Sequence, residues 1–306
     1  MVKRTFLFLA IILFWGGAAA YAQIEISFRF VHRTVAQAED IWAFVEVANY
    51  TGVPLEFSLR GNASLSFSVE DQFKNYVAGN GQPVVEFPEV IPNGEKRALH
   101  VNLLRVYPIY TSLAYTVTPR VHWNGQLFIG PRQSLEILNG LEIFRRVYGR
   151  ANGDNRIVSL RTLFREGSER LFFRMDSQAS GNCLVSMELG RMVRLIEPIV
   201  EQDGAGNFHV LHQIAPTRFL HSVIASNGAF LESTYYFATA VRAIRLLHSD
   251  GEVIVIGGVP FVEDPNQPAV LTLPGQSEHP AGIEIGDYPV KGKAKKPADN
   301  NKKKKK

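Results

Sequence analysis

The chain has one cysteine, Cys183, in 306 residues. A single thiol closes no internal disulfide, so the folded part must be held by its apolar core rather than by covalent staples. Beyond residue 22 no apolar stretch approaches the roughly 20 residues that cross a bilayer, and the mature protein is expected to be soluble. Motif-borne chemistry is missing too: there is no GxSxG elbow, P-loop, GxGxxG, HExxH or EF-hand loop. No catalytic residue, cofactor or metal is therefore assigned from motifs. Catalytic groups usually converge from distant positions, so the absence of motifs does not by itself exclude an enzyme.

The amino terminus carries a clear pattern. Lys3 and Arg4 precede an apolar run from Phe6 to Trp15, and small residues follow, ending in Ala20-Tyr21-Ala22. The run is too short to span a membrane and matches a secretory signal peptide, residues 1–22, with cleavage after Ala22. No cysteine stands at that point, so an amino-terminal lipid anchor is not expected. The expected destination is periplasmic or extracellular.

The formal net charge of +4 is unevenly distributed. Residues 291–306, KGKAKKPADNNKKKKK, carry +8; removing that and the +2 of Lys3 and Arg4 leaves about −6 for the rest. The basic balance describes a tail and not a nucleic-acid-binding face. Residues 291–306 have no apolar residue larger than alanine and cannot repay the entropy of ordering, and they end a Pro- and Lys-rich tail, 265–306, that is expected to be disordered. Two readings of it stand. It is a solvated tail without a specific partner, or Lys291, Lys293, Lys295, Lys296, Lys302, Lys303, Lys304, Lys305 and Lys306 tether the protein to an anionic surface such as envelope polymer.

Between the two ends the pattern is β throughout. Ile24, Ile26, Phe28 and Phe30 alternate with Glu25, Ser27 and Arg29, and Ile41, Ala43, Val45 and Val47 form a second single-faced run. Short runs near 65–69, 84–87 and 98–104 follow, and helical spacing is nowhere sustained. In YTVTPRVHWNGQLFIG, Tyr115, Val117, Pro119, Val121 and Trp123 share a face, and Asn124-Gly125 supplies a type I′ turn into Leu127–Ile129. Pro119 removes a ladder donor, which points to an edge position or a bulge. About seven short strands in this stretch predict a two-sheet sandwich over 23–144. The Tyr-x-Val pattern entering an Asn-Gly hairpin resembles the late strands of immunoglobulin-like and fibronectin-type-III-like modules, although the paired cysteines of true immunoglobulin domains are absent. The likeness implies a scaffold or adhesion-type module, a fold that hosts many roles.

RRVYGRANGDNR, inside 145–156, loses apolar periodicity and reads as a linker. Strand-like runs resume at 157–163, 171–175, 183–189, 193–200, 208–213, 219–224, 230–236, 241–247 and 253–256, predicting a second antiparallel β module over 157–264. Turn dipeptides at 203, 227 and 250 suggest a repeat of 23 or 24 residues, whereas Leu-His-Ser at 220 and again at 247 gives 27, and the disagreement removes a true repeat. The hairpins locally resemble those of β-propellers, but nine strands are too few for a closed propeller.

His209, His212 and His221 fall within thirteen residues of a chain that has 8 histidines. A metal pair on one strand needs a spacing of two, and His209 and His212, three apart, should point to opposite faces. His221 lies across the hairpin in a register the sequence does not fix, so the three remain weak metal candidates and are read as sheet residues. Asp203-Gly204-Ala205-Gly206-Asn207 lacks the further carboxylates of a calcium loop and reads as a turn. Cys183, without a flanking base, reads as an inert thiol. Asn49-Tyr50-Thr51 and Asn62-Ala63-Ser64 match the glycan acceptor pattern, but no glycans are predicted. The function expected from all this is an exported, non-enzymatic binding or envelope-associated structural protein. The alternative is an envelope hydrolase with a site between the two modules.

Overall fold

The computed structural model describes residues 23–149, 155–238 and 244–262, and within them the chain is all-β. It divides into two compact units, Met1–Phe144 with Asp176–Met187, and Arg145–Met175 with Glu188–Lys306. Among the described residues no helix is long and apolar enough to cross a membrane. The tail lysines and the signal-like segment lie outside the described residues.

Ten strands build the first unit: β1 (Ile24–Phe30), β2 (Thr34–Ala36), β3 (Trp42–Asn49), β4 (Leu55–Phe57), β5 (Ala63–Asp71), β6 (Glu89–Ile91), β7 (Lys96–Asn102), β8 (Ala114–Trp123), β9 (Gln126–Ile129) and β10 (Gln133–Leu138). One sheet runs β1-β3-β7; the other runs β2-β10-β8-β5-β4-β6, with β9 also paired to β8. The alternation of β1 and β3 turns Phe28, Val45 and Val47 inward, where they share one buried core with Phe67, Val117 and Leu135 of the second sheet. Two sheets facing across a common core form a sandwich. Tyr107 fastens it: its hydroxyl donates to the Phe67 carbonyl at 2.9 Å and accepts from the Phe67 amide at 2.7 Å.

The Asn-Gly hairpin forms as expected, with φ of 47° at Asn124 and 75° at Gly125, the two positive values a type I′ turn demands. Pro119 sits in the interior of β8, at the point where that strand changes partner. Val117 pairs with Gln133 and Arg120 with Ile129, so three steps along β8 face four along the opposing chain, a bulge of one residue. Gly130 closes this junction by donating its amide to the Pro119 carbonyl at 2.9 Å. A Cβ on Gly130 would lie 2.7 Å from Ile26 Cγ2 and from Pro119 Cγ. The run at 84–87 is not a strand: Pro83 and Pro88 flank it, although Val84 is still buried in the core.

Asn49 is wholly buried and fully used. Its side-chain nitrogen donates to the carbonyls of Val53 and Ile91, each at 2.8 Å, and its oxygen accepts from the Thr51 amide and hydroxyl. The nitrogen of that glycan-acceptor match is thus engaged inside the folded unit.

The strands that follow are β11 (Leu141–Tyr148), β12 (Arg156–Arg165), β13 (Ser168–Ser177), β14 (Cys183–Arg191), β15 (Ile199–Gln202), β16 (Phe208–Ala215), β17 (Arg218–Ile224), β18 (Phe230–Ala238), β19 (Arg245–Ser249), β20 (Glu252–Ile256) and β21 (Gly258–Phe261). The sheet β11-β12-β13-β14 has Leu141–Phe144 and Asp176–Met187 counted with the first unit. The second unit is centred on the sheet β15-β16-β17-β18-β21, with the hairpin β19-β20 beside it. Strand 193–200 is shorter than its apolar run suggests. It begins only at Ile199, after Pro198, because Met192 and Val193 give their amides to Glu169 and Gln213 instead.

β16 and β17 are buried on both faces. On one side Phe208 packs against Tyr148 and Phe173, at ring separations of 5.1 and 5.8 Å. On the other, Leu211 and Phe219 join Leu246 and Val253 of the hairpin. This two-sided burial positions the site.

Candidate ligand-binding cleft

Gln202 at the end of β15 pairs with Phe208 at the start of β16, leaving Asp203–Asn207 to turn the chain. The aspartate begins the turn because its short carboxylate reaches its own backbone. One oxygen accepts from the Asn207 amide at 2.8 Å and the other from Asn207 Nδ2 at 2.9 Å. Gly206 takes φ of 88°, a region that favours glycine, and the Gln202 side-chain amide donates to its carbonyl at 3.1 Å. From the far side Gly204 donates to the Gly251 carbonyl at 2.7 Å, and a Cβ on Gly204 would come within 3.0 Å of that oxygen. The five residues read as a turn in the sequence therefore form one, tied at both ends.

Beneath this turn lies a cleft of about 350 Å³, whose lining includes Tyr148, Arg156, Gln202, Asp203, Ala205 and Ser226. Its polar groups are of different kinds: a guanidinium, a carboxylate, an amide and a hydroxyl. Burial pushes the Tyr148 hydroxyl above its ordinary pKa, with the Arg146 charge working against it, so the phenol stays protonated at neutral pH.

The histidines sort by strand parity. His209 pairs with Val223 and Leu211 with His221, which puts His209 and His221 diagonally adjacent on one face, while His212, opposite Leu220, points to the other. His209 Nδ1 lies 3.0 Å from His221 Nε2 with the rings stacked, and His209 Nε2 lies 3.2 Å from Asp203 Oδ2. The result is a buried chain, Asp203–His209–His221, that begins at the cleft wall. Burial opposes the ionisation of Asp203, but the Asn207 side chain and backbone and then His209 outweigh it and hold the carboxyl below its usual range. Burial, then the His209 charge, pushes His221 down to about 4.

His212 stands apart. Its Nε2 lies 3.2 Å from the Arg191 carbonyl, its Nδ1 has no hydrogen-bond partner among the described residues, and burial pushes it down to about 4. A protonated ring would carry a buried N–H with no acceptor, so geometry and desolvation both favour the neutral form.

Among the described residues no three His, Cys, Asp or Glu side chains are grouped to hold a metal ion. Cys183 is half-buried, its Sγ 3.3 Å from the Val185 carbonyl. What the sequence did not disclose is the partnership of Asp203 with the histidines. The contribution of Tyr148 and Arg156 was hidden as well, because both lie in the stretch 145–156 that lost its periodicity.

No family model and no curated protein matches this chain. Among solved structures it is similar to the crystal structure of Spo0M, a sporulation control protein from Bacillus subtilis. The two are 8% identical over 55% of this chain and 91% of that one, with a TM-score of 0.26, too low to carry a functional argument.

Proposed function

We propose that this chain is an exported, non-enzymatic binding protein whose second unit holds a small polar molecule in the cleft beneath the Asp203 turn. The observation that carries this is the cleft itself, where mixed polar groups converge in a space at the lower end of the range of small-molecule sites. Export rests on the Lys3-Arg4 start, the apolar run Phe6 to Trp15 and the Ala20-Tyr21-Ala22 end. The likeness of the Tyr115-to-Ile129 pattern to immunoglobulin-like and fibronectin-type-III-like modules supports a scaffold role for the first unit. The lysines of 291–306 would add weak, salt-sensitive attachment to an anionic envelope polymer.

The test is saturation-transfer NMR of the full chain against a library of sugars, hydroxy acids and amino acids. The expected result is a set of ligands that shift the Ala205 and Ser226 amides and stop binding in Ala205→Trp, which fills the cleft. A library with no binder, or binders indifferent to that substitution, would overturn the reading.

One observation favours a hydrolase instead, the carboxylate–imidazole chain at the cleft wall. Turnover of chromogenic ester or glycoside substrates that disappears in His209→Gln would establish that second reading.

A further inference from the structure

The histidine chain can be followed proton by proton. With Asp203 ionised, His209 carries its hydrogen on Nε2 and donates it to the carboxylate, which leaves Nδ1 bare to accept from His221 Nε2–H. One added proton is accommodated, because a single N–H still lies between the rings whichever imidazole holds the charge. Two added protons set N–H against N–H, and the inter-ring bond cannot survive.

The groups around the pair differ from one side to the other. From the β15 side come Asp203 and Glu201, the latter in register with His209 and bonded to His248 Nε2 of β19 at 3.1 Å. From β18 come Glu232, opposite Val223, and Tyr236, whose ring meets that of His221 edge-on at 6.3 Å. Asp250 and Glu252 flank Gly251, which receives the Gly204 amide. Asp203 and Glu201 stand beside His209, whereas His221 is enclosed against an aromatic ring.

Displacement has an obvious outlet. His221 sits on β17, held between β16 and β18, while His209 adjoins β15, a four-residue strand at the sheet edge, and the turn that β15 feeds. We propose that the 203–207 turn is a pH-operated gate on the cleft: two protons on the His209–His221 pair break the inter-ring bond, dislodge His209 from Asp203 and loosen the wall that Asp203 closes. The depression of His221 to about 4 places the second proton in the acid range. This regulation rests on reading the cleft as a ligand site, but the gate itself is a property of the unliganded chain.

The experiment is amide hydrogen exchange on the full, ligand-free chain from pH 7 to 4, with rates corrected for the intrinsic pH dependence. Protection at Gly206 and Asn207 is expected to fall by about tenfold or more per pH unit below pH 6, as uptake of at least one proton on opening requires, while Val210 in β16 exchanges more slowly than the turn at every pH. In His221→Gln, which keeps a donor near the Nε2 position but takes up no proton, turn protection should not depend on pH. If that variant does not fold, imidazole ¹⁵N spectra of the unmodified chain give the same answer through loss of the shared inter-ring proton in step with the turn amides. Turn protection that does not change with pH, or that equals that of Val210 throughout, or that is lost equally in His221→Gln, would overturn the proposal. A gate that opens in a chain that binds nothing would leave the proposal standing and remove only the binding reading.

Discussion

Acid should weaken the second unit in a window set by its buried histidines, and His212 allows the effect to be isolated. In the folded chain its pKa is pushed from 6.5 to about 4, so between those values the unfolded chain binds a proton that the folded chain refuses. Stability is therefore complete above pH 6.5, falls as pH drops toward 4, and levels off below. At pH 5 one such group contributes about 2 kcal/mol less than at pH 8. His221, depressed to the same value by burial and by the His209 charge, adds to this loss in the same window. His212→Gln keeps a donor for the Arg191 carbonyl and removes the titration. Native-state hydrogen exchange of the Leu211 and Val223 amides in increasing denaturant, repeated from pH 8 to 5, measures opening within this unit alone. The variant should start no more than about 1 kcal/mol below the parent at pH 8 and gain about 2 kcal/mol on it by pH 5. Parallel curves for the two proteins across that range would refute the reasoning.

Two further substitutions test the packing. Gly130→Ala places a methyl group 2.7 Å from Ile26 Cγ2 and Pro119 Cγ, both on stiff side chains, and should cost the first unit about 1–3 kcal/mol in denaturant melts; no loss would show that the β9–β10 junction yields. Ser222→Ala should instead raise the stability of the second unit by about 1 kcal/mol, because the buried Ser222 hydroxyl has no hydrogen-bond partner among the described residues; a loss of stability would reveal a partner for it.

Much of the fold was legible because its signals are local. Period-two alternation placed β1, β3 and β8, and Asn-Gly and Asp-Gly dipeptides placed the turns at Asn124-Gly125, Asn227-Gly228 and Asp250-Gly251, with both residues at positive φ in the first and third and Gly228 alone in the second. Parity alone separated His209 from His212. The register of β16 on β17 was not legible: both strands are buried on both faces, so hydrophobicity does not say which residue faces which. The runs at 84–87 and 193–200 misled because apolar residues there serve burial or irregular backbone next to prolines. β21 was missed because Gly258–Phe261 is four residues long and holds Pro260. The cleft eluded the sequence for a different reason. Its walls join the neighbouring ends of β11 and β12 to the end of β15, from which β13 and β14 separate them along the chain.

In most half-exposed strands an error of one residue in pairing is punished by water, since it drives apolar groups outward. β16 has no such safeguard, because either alternation of its residues would be buried. Its polar side chains supply the missing discrimination: slipped by one residue, His209 would lose both Asp203 and His221, and His212 would lose the Arg191 carbonyl. The buried histidines thus encode alignment, and a chain with leucine at all of these positions could gain burial and forfeit the means of choosing among its own pairings.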